Sequence, residues 1–212
     1  STKGSKTDFI AQAAFFNDND EKRNVIIGAN PHTAELICKH LIRNNIWNPF
    51  KGSRLIAKPK NLDYRGDLYF EENNNVTVVE VKNVVCASVA PPNGVEDKNK
   101  FYDYRQPFVR AGIYPFGNSS QSYNGNKVVS ERSIRQIDFM IKNKNKFQFA
   151  IIFIVNRGDC EMFKPCWKAD PYYTKTLMHA HQSGIAIYAI KISWKPNGCY
   201  FDRELGIDFE KW

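Results

Sequence analysis

The chain lacks any apolar run near the roughly 20 residues that a membrane-spanning helix needs. Its longest candidate, Phe147 to Val155, contains Gln148 and has the length of a buried strand. A helical membrane protein is therefore excluded, and no membrane partner is expected. The opening residues, STKGSKTDFIAQAAFF, show no signal-peptide core with a cleavage site. Cysteine is scarce: Cys38, Cys86, Cys160, Cys166 and Cys199 are odd in number and contain no C-x2-C pair. That argues against a disulfide framework and against the common zinc patterns. Histidine is scarcer still, and His179 and His181 stand two apart, which does not place both on one helical face. No internal repeat is visible. The expectation is a reduced, intracellular protein of the cytoplasm or nucleus, whose cysteines mostly pack.

What is present is basic charge. The 212 residues carry 30 Lys+Arg against 22 Asp+Glu, a net charge of +8. Such a balance suits anionic partners, nucleic acid first and acidic membrane surfaces second, and equally suits a soluble protein that happens to be basic. The length and a 42% hydrophobic content support one substantial core.

Along the chain, residues 1–23 read as a polar lead-in or as part of a truncated N-terminal region. Asn24 to Ala29 reads as a short buried strand. Asn30-Pro31 opens a helix with Asn30 as N-cap and Leu36, Ile37 and Leu41 as its apolar stripe, ending near Asn44-Asn45. Strands are expected over Ser53–Lys58, Tyr64–Glu71 and Asn75–Val84. Residues 90–128, rich in Pro, Gly, Asn, Ser and aromatics, read as an inserted loop. A helix over Ser130–Asn143 with Ile134, Ile137, Phe139 and Ile141, a central strand over Phe147–Val155, a helix from Asp170-Pro171 to Gly184 and a last clear strand over Ile185–Ile192 complete the pattern. Residues 195–212 read as a C-terminal extension to a domain spanning 24–194. The alternation of strands and helices in the second half implies parallel neighbours, and the hairpin in the first half antiparallel ones. The fold class is α/β, a mixed β-sheet flanked by helices.

The hairpin carries the chemistry. A two-residue turn at Asn73-Asn74 pairs Glu72 with Asn75, Phe70 with Thr77 and Leu68 with Val79. Continuing that register sets Asp67 directly opposite Glu80, with Lys82 on the same face. Two adjacent carboxylates repel unless a cation sits between them, and hard oxygen ligands suit Mg²⁺ or Mn²⁺. Lys82 would then orient the attacking water and stabilise charge on a phosphate. A plain salt-bridged cluster on an exposed sheet face would need no metal. The strand argues otherwise, because Val78, Val79, Val81, Val84 and Val85 make it a core strand that Glu80 and Lys82 interrupt.

Asp67, followed by a hairpin and Glu80-Val81-Lys82, resembles the PD-(D/E)XK nuclease superfamily. More of the chain, from about Asn24 to Trp194, resembles one branch, the sugar fermentation stimulation protein family. The resemblance lies in Arg65-Gly66-Asp67-Leu68, Val79-Glu80-Val81-Lys82-Asn83-Val84, Ser130-Glu131-Arg132-Ser133-Ile134-Arg135-Gln136, Val155-Asn156-Arg157-Gly158-Asp159, Phe163-Lys164-Pro165 and Asp170-Pro171-Tyr172-Tyr173, in that order. It implies a restriction-endonuclease-like core and a metal-dependent nuclease with Asp67, Glu80 and Lys82 catalytic. The Mg²⁺ or Mn²⁺ would lie on Asp67, Glu80 and the Val81 backbone carbonyl. Glu35 of the first helix is a further candidate ligand, equally readable as a solvated charge. It also implies nucleic acid, with DNA favoured, as partner. A non-catalytic DNA-binding module on the same scaffold is the alternative, and a homodimer is compatible with either.

Three features depart from the family: no room for an N-terminal OB-like domain in residues 1–23, a longer 90–128 stretch, and Arg135 and Gln136 where the family has Lys and His. Candidate phosphate contacts are Arg65, Arg132, Arg135 and Arg157. Arg157 could instead pair with Asp159 in a turn, and Arg135 could be an ordinary surface charge. Asn30 and Asn83 can support the site or serve only the backbone. The aromatic segment Phe101–Phe116, with Arg105 and Arg110, suits base stacking or folding onto the domain.

Overall fold

The computed structural model describes residues 10–18, 23–89 and 109–211. Its centre is the strand β10 (Gln148–Val155). Every position from Phe149 to Val155 is buried, because β10 is covered in all four directions. On either side it pairs in parallel, with β5 (Asn75–Val84) and with β12 (Ala186–Lys195). Above and below, its alternating side chains feed two cores. Phe149, Ile151, Phe153 and Val155 face one, and Ala150, Ile152 and Ile154 face the other. Period-2 alternation with both faces apolar is what a central parallel strand requires.

The six-stranded sheet has the order β13-β12-β10-β5-β4-β3. β4 (Leu68–Glu72) and β3 (Arg54–Leu55) extend one side antiparallel, and β13 (Gly198–Glu204) closes the other. Helix α1 (Pro31–Arg43) packs on one face, and α2 (Glu131–Asn143) and α3 (Pro171–Gln182) contribute to the core on the other. The mixed, helix-flanked sheet is thus as expected.

A second sheet joins β6 (Cys86–Val89), β7 (Arg110–Tyr114) and β11 (Met162–Pro165), and two small ribbons pair β1 (Ala13–Asp18) with β2 (Arg23–Gly28) and β8 (Gln121–Tyr123) with β9 (Asn126–Val128).

Several local expectations are corrected. Leu36 is 51% exposed, whereas Ala34, Ile37, Cys38, Leu41 and Ile42 are buried. At 3.6 residues per turn Leu36 lies nearly opposite Ala34 and Cys38. On α2, Phe139 and Ile141 are only half-buried, and Met140 takes the core position. The 53–58 strand shrinks to Arg54–Leu55, which pair with Glu71 and Phe70 of β4. Within 90–128, the described part is largely strand, where β7, β8 and β9 are too short for periodicity to show. Phe101–Phe108 lies outside the described residues. Ala13–Asp18 is not a loose lead-in but a strand on β2. Beyond Trp194 the chain returns as β13 rather than trailing away.

One side chain ties the C-terminal ends of the central strands together. Asn156 follows β10 and is 0% exposed. Its Nδ2 donates to Asn83 Oδ1 at 3.1 Å, its Oδ1 accepts from Trp194 Nε1 at 2.5 Å, and its carbonyl accepts from Gly28 N at 2.9 Å. Asn83 Nδ2 in turn reaches the carbonyls of Gly28 and Ala29 at 3.3 and 3.4 Å. Gly28 has to be glycine, since a Cβ there would lie 2.6 Å from the Asn156 amide. Truncating one member of such a buried network strands its partners. Asn156→Ala is therefore expected to cost roughly 3 kcal/mol in urea denaturation. A loss below about 1 kcal/mol would show the network to be dispensable.

Candidate active site

Asn73 and Asn74 adopt φ of 48° and 64°, the left-handed pair of a two-residue hairpin turn. The register that follows is as expected: Glu72 with Asn75, Phe70 with Thr77, Leu68 with Val79. One step further it departs. Asp67 does not pair with Glu80; its N–H donates to Val79 O at 2.9 Å, one residue out of step. Gly66 permits this approach, as a Cβ there would meet the Val78 side chain at 2.7 Å. The shift turns the Asp67 carboxylate back onto the strand, where it accepts from the Val81 N–H at 2.7 Å. In a strand, the N–H and C=O of one residue point to the same edge, so the Val81 carbonyl faces that edge too, beyond the end of the β4 ladder.

Glu80 and Lys82 point to the α2 side, flanked by Val78 and Val84 of the core. Glu80 is 3% exposed. Its Oε1 accepts from Lys82 Nζ at 2.9 Å and from Gln136 Nε2, and its Oε2 accepts from Tyr64 Oη at 2.7 Å. Lys82 Nζ also donates to Gln136 Oε1 at 2.6 Å. Tyr64 stacks on Phe139 of α2, with centroids 4.7 Å apart.

Tyr64 and Gln136 are the residues that sequence reasoning missed. Gln136 had a signal: a polar residue in register with Ser133, Ile137 and Met140 on a buried stripe. Tyr64 had none, lying in the irregular stretch before the ladder.

Asp67 and Glu80 together outweigh Lys82 by one negative charge in a poorly hydrated place. Burial first, then the charge of Glu80, push the Asp67 carboxyl up to about 6; Glu35 adds to the rise, while the Val81 N–H and Lys82 oppose it. The thiol of Cys38 is pushed up to about 12 by burial and then by Asp67, and burial followed by Glu80 raises the Tyr64 hydroxyl. Among the described residues no group of three His, Cys, Asp or Glu gathers as a full metal cage. Mg²⁺ does not require one, since it holds several waters and takes one or two carboxylates. The surplus charge, the two carboxylates and the Val81 carbonyl fit such an ion. Glu35 lies within electrostatic reach of Asp67, with its carboxylate 3.6 Å from His32.

The four arginines separate. Arg157 is buried, donating to both oxygens of Asp159 at 2.7 Å and to the Val85 carbonyl at 3.1 Å. It is therefore committed to the fold, which corrects its reading as a phosphate contact. Arg135 pairs with Glu131 at 2.6 Å and lies over the Tyr123 ring at 5.2 Å. Arg65 and Arg132 are exposed. Arg132 stands one turn before Gln136 on α2, at the rim of the cluster.

Residues 127–198 match the family model described as the sugar fermentation stimulation protein RE domain. That stretch holds α2, β10, β11, α3 and β12; Asp67, Glu80 and Lys82 precede it. Curated relatives are sugar fermentation stimulation protein homologs. The one from Carboxydothermus hydrogenoformans is 33% identical over 76 residues, 36% of this chain and 33% of its own. That from Thioalkalivibrio sulfidiphilus is 27% identical over 147 residues, 69% and 50% of the two chains. That from Bartonella henselae is 22% identical over 196 residues, 90% and 70%. The fold is shared with a solved structure of Pyrococcus furiosus SfsA in complex with Ca²⁺, at a TM-score of 0.68 and 22% identity, over 97% of this chain and 74% of that one. Over these stretches the chain is similar to the sugar fermentation stimulation protein family. It spans a third of the first of these relatives and half of the second.

A carboxyl whose pKa rises on folding is a liability when ionised: its penalty is present above the folded value and fades as pH falls through about 6 towards the ordinary range. Asp67→Asn keeps an acceptor for the Val81 N–H and removes the charge. At pH 7.5, without divalent cations, it is expected to stabilise the protein by on the order of 1 kcal/mol. The gain should disappear near pH 4 in parallel thermal melts. Destabilisation at pH 7.5 would mean that Asp67 is favourably placed as an anion.

Proposed function

We propose that this chain is a metal-dependent nuclease that hydrolyses phosphodiester bonds of nucleic acid, DNA in preference, on a PD-(D/E)XK restriction-endonuclease-like core. The observation that carries the reading is the crowding of Asp67 against Glu80, with the Val81 backbone between them and Lys82 2.9 Å from Glu80. A bound Mg²⁺ or Mn²⁺ supplies Lewis acidity and an activated water. Asp67, Glu80 and the Val81 carbonyl would hold that ion. Lys82 stands ready to orient the water and to meet charge developing on the phosphate. The exposed Arg132 and Arg65 would grip backbone phosphates. The Ca²⁺ in the Pyrococcus furiosus structure is in keeping with a hard-cation site, though it belongs to that protein.

A second reading is a non-catalytic nucleic-acid-binding module. It is favoured by the closed state of Glu80, which already accepts three hydrogen bonds.

Incubation with plasmid, linear DNA and RNA separates the two. Cleavage is expected with Mg²⁺ or Mn²⁺ and none with EDTA, and Asp67→Ala and Glu80→Gln, the latter keeping acceptors for Lys82 and Tyr64, should abolish it while remaining folded. Full activity in EDTA would remove the metal mechanism, and no cleavage under any condition would favour the binding module.

Binding isolates the arginine. With Ca²⁺ in place of Mg²⁺, Arg132→Ala should weaken DNA binding across sequences and reduce the slope of log K against log salt by about one unit. An unchanged slope would take Arg132 out of the interface.

A further inference from the structure

Gln136 has no part in the mechanism so far, yet its amide is engaged from both ends. It is 8% exposed, on the stripe that α2 presents to the sheet. Its amide is bonded at both ends, from Nε2 to Glu80 Oε1 and from Lys82 Nζ to Oε1 at 2.6 Å. Chemistry fixes that orientation. A carboxylate only accepts and an ammonium only donates, so a flipped amide would set acceptor against acceptor and donor against donor. With the 2.9 Å contact from Lys82 to Glu80, the three side chains close a ring.

The ring matters because lysine has a flexible four-carbon stem and a compact charge. Beside two carboxylates an unanchored ammonium is drawn towards them, where it competes with any cation. An acceptor on the opposite side opposes that pull. It has to be neutral, since another carboxylate would add to a surplus of negative charge that already raises Asp67. An amide meets both conditions, and it reaches from α2 to β5 across 56 residues of sequence.

We propose that Gln136 is a positioning residue: it anchors the Lys82 ammonium and one Glu80 oxygen to α2, and so keeps Lys82 directed at the reacting phosphate. The phosphate rests on the nuclease reading; the anchoring of Lys82 does not. Gln136 acts through Lys82 and Glu80 and touches no substrate.

The test uses Gln136→Met, which keeps an unbranched side chain of similar size and removes both hydrogen bonds. The first readout is the ¹⁵N NMR signal of the Lys82 ammonium, identified by its loss in Lys82→Arg. Losing a hydrogen bond to a charged group should speed its exchange with water at least about tenfold. Gln136→Asn, one methylene shorter, draws the amide back from Lys82 without adding charge and should also speed exchange, which covers the case in which the methionine variant fails to fold. The second readout is a double-mutant cycle with Mg²⁺. Gln136→Met should slow cleavage about tenfold or more, with DNA affinity in Ca²⁺ changed less than about twofold. Added to Lys82→Ala it should cause no further loss.

Unchanged ammonium exchange in Gln136→Met or in Gln136→Asn, or losses that multiply in the double variant, would each overturn the proposal. If the wild-type protein cuts nothing while Gln136→Met still frees the ammonium, the nuclease reading fails and the anchoring stands.

Discussion

Glu80 is a charge placed in the middle of a core strand, and much of the architecture around it answers that constraint. β5 lies between β4 and β10, with Val78 and Val84 packed in the same core towards which Glu80 points. A carboxylate there loses its hydration, and the loss is tolerable only with well-formed partners. Lys82 supplies the charge, Tyr64 one hydrogen bond and Gln136 another. These come from three parts of the chain, so the polar cluster dictates which residue α2 presents at that point. Asp67 is the unreconciled member. Its charge is not neutralised by what surrounds it, and the proposed cation site rests on this imbalance.

Much of the charge behind the net +8 is, among the described residues, already paired. Arg157 and Arg110 both lie against Asp159, Lys191 against Glu161 and Asp202, and Lys164 against Asp208. Arg157, Lys164 and Lys191 are buried and serve the fold. Among the described residues, exposed charge is narrower than composition suggests, and Arg132 and Arg65 are part of it.

The long-period features were legible in the sequence. β10 announced itself by seven consecutive apolar residues, α1 and α3 by Asn30-Pro31 and Asp170-Pro171, and the β4–β5 hairpin by an asparagine pair whose backbone preference sets the register. What was hidden obeys shorter rules. A one-residue slip at Asp67 depends on Gly66 fitting against Val78, a packing fact with no sequence period. β7, β8 and β9 have three to five residues each, too few for alternation to show. β13 is an edge strand with charged residues outward, which reads as loop. Gln136 looked like a departure from a family pattern because its value depends on two residues of another element. Arg157 was ambiguous because a strand-end arginine can serve a ligand or a neighbouring aspartate equally well.

The parallel ladder between β5 and β10 has a temporal consequence. The Asn73-Asn74 hairpin joins residues close in sequence, whereas Thr77 meets Gln148 across 71 residues. Closing a loop of that length loses chain entropy before any contact rewards it, so local hairpins precede long-range pairing in a folding chain. Asp67 and Glu80 can therefore approach each other in an early hairpin that still lacks α2. In that interval the two carboxylates remain hydrated and tolerable. Docking of α2 and β10 removes the water and brings Gln136 to Lys82 in the same stage, so desolvation and its remedy arrive together.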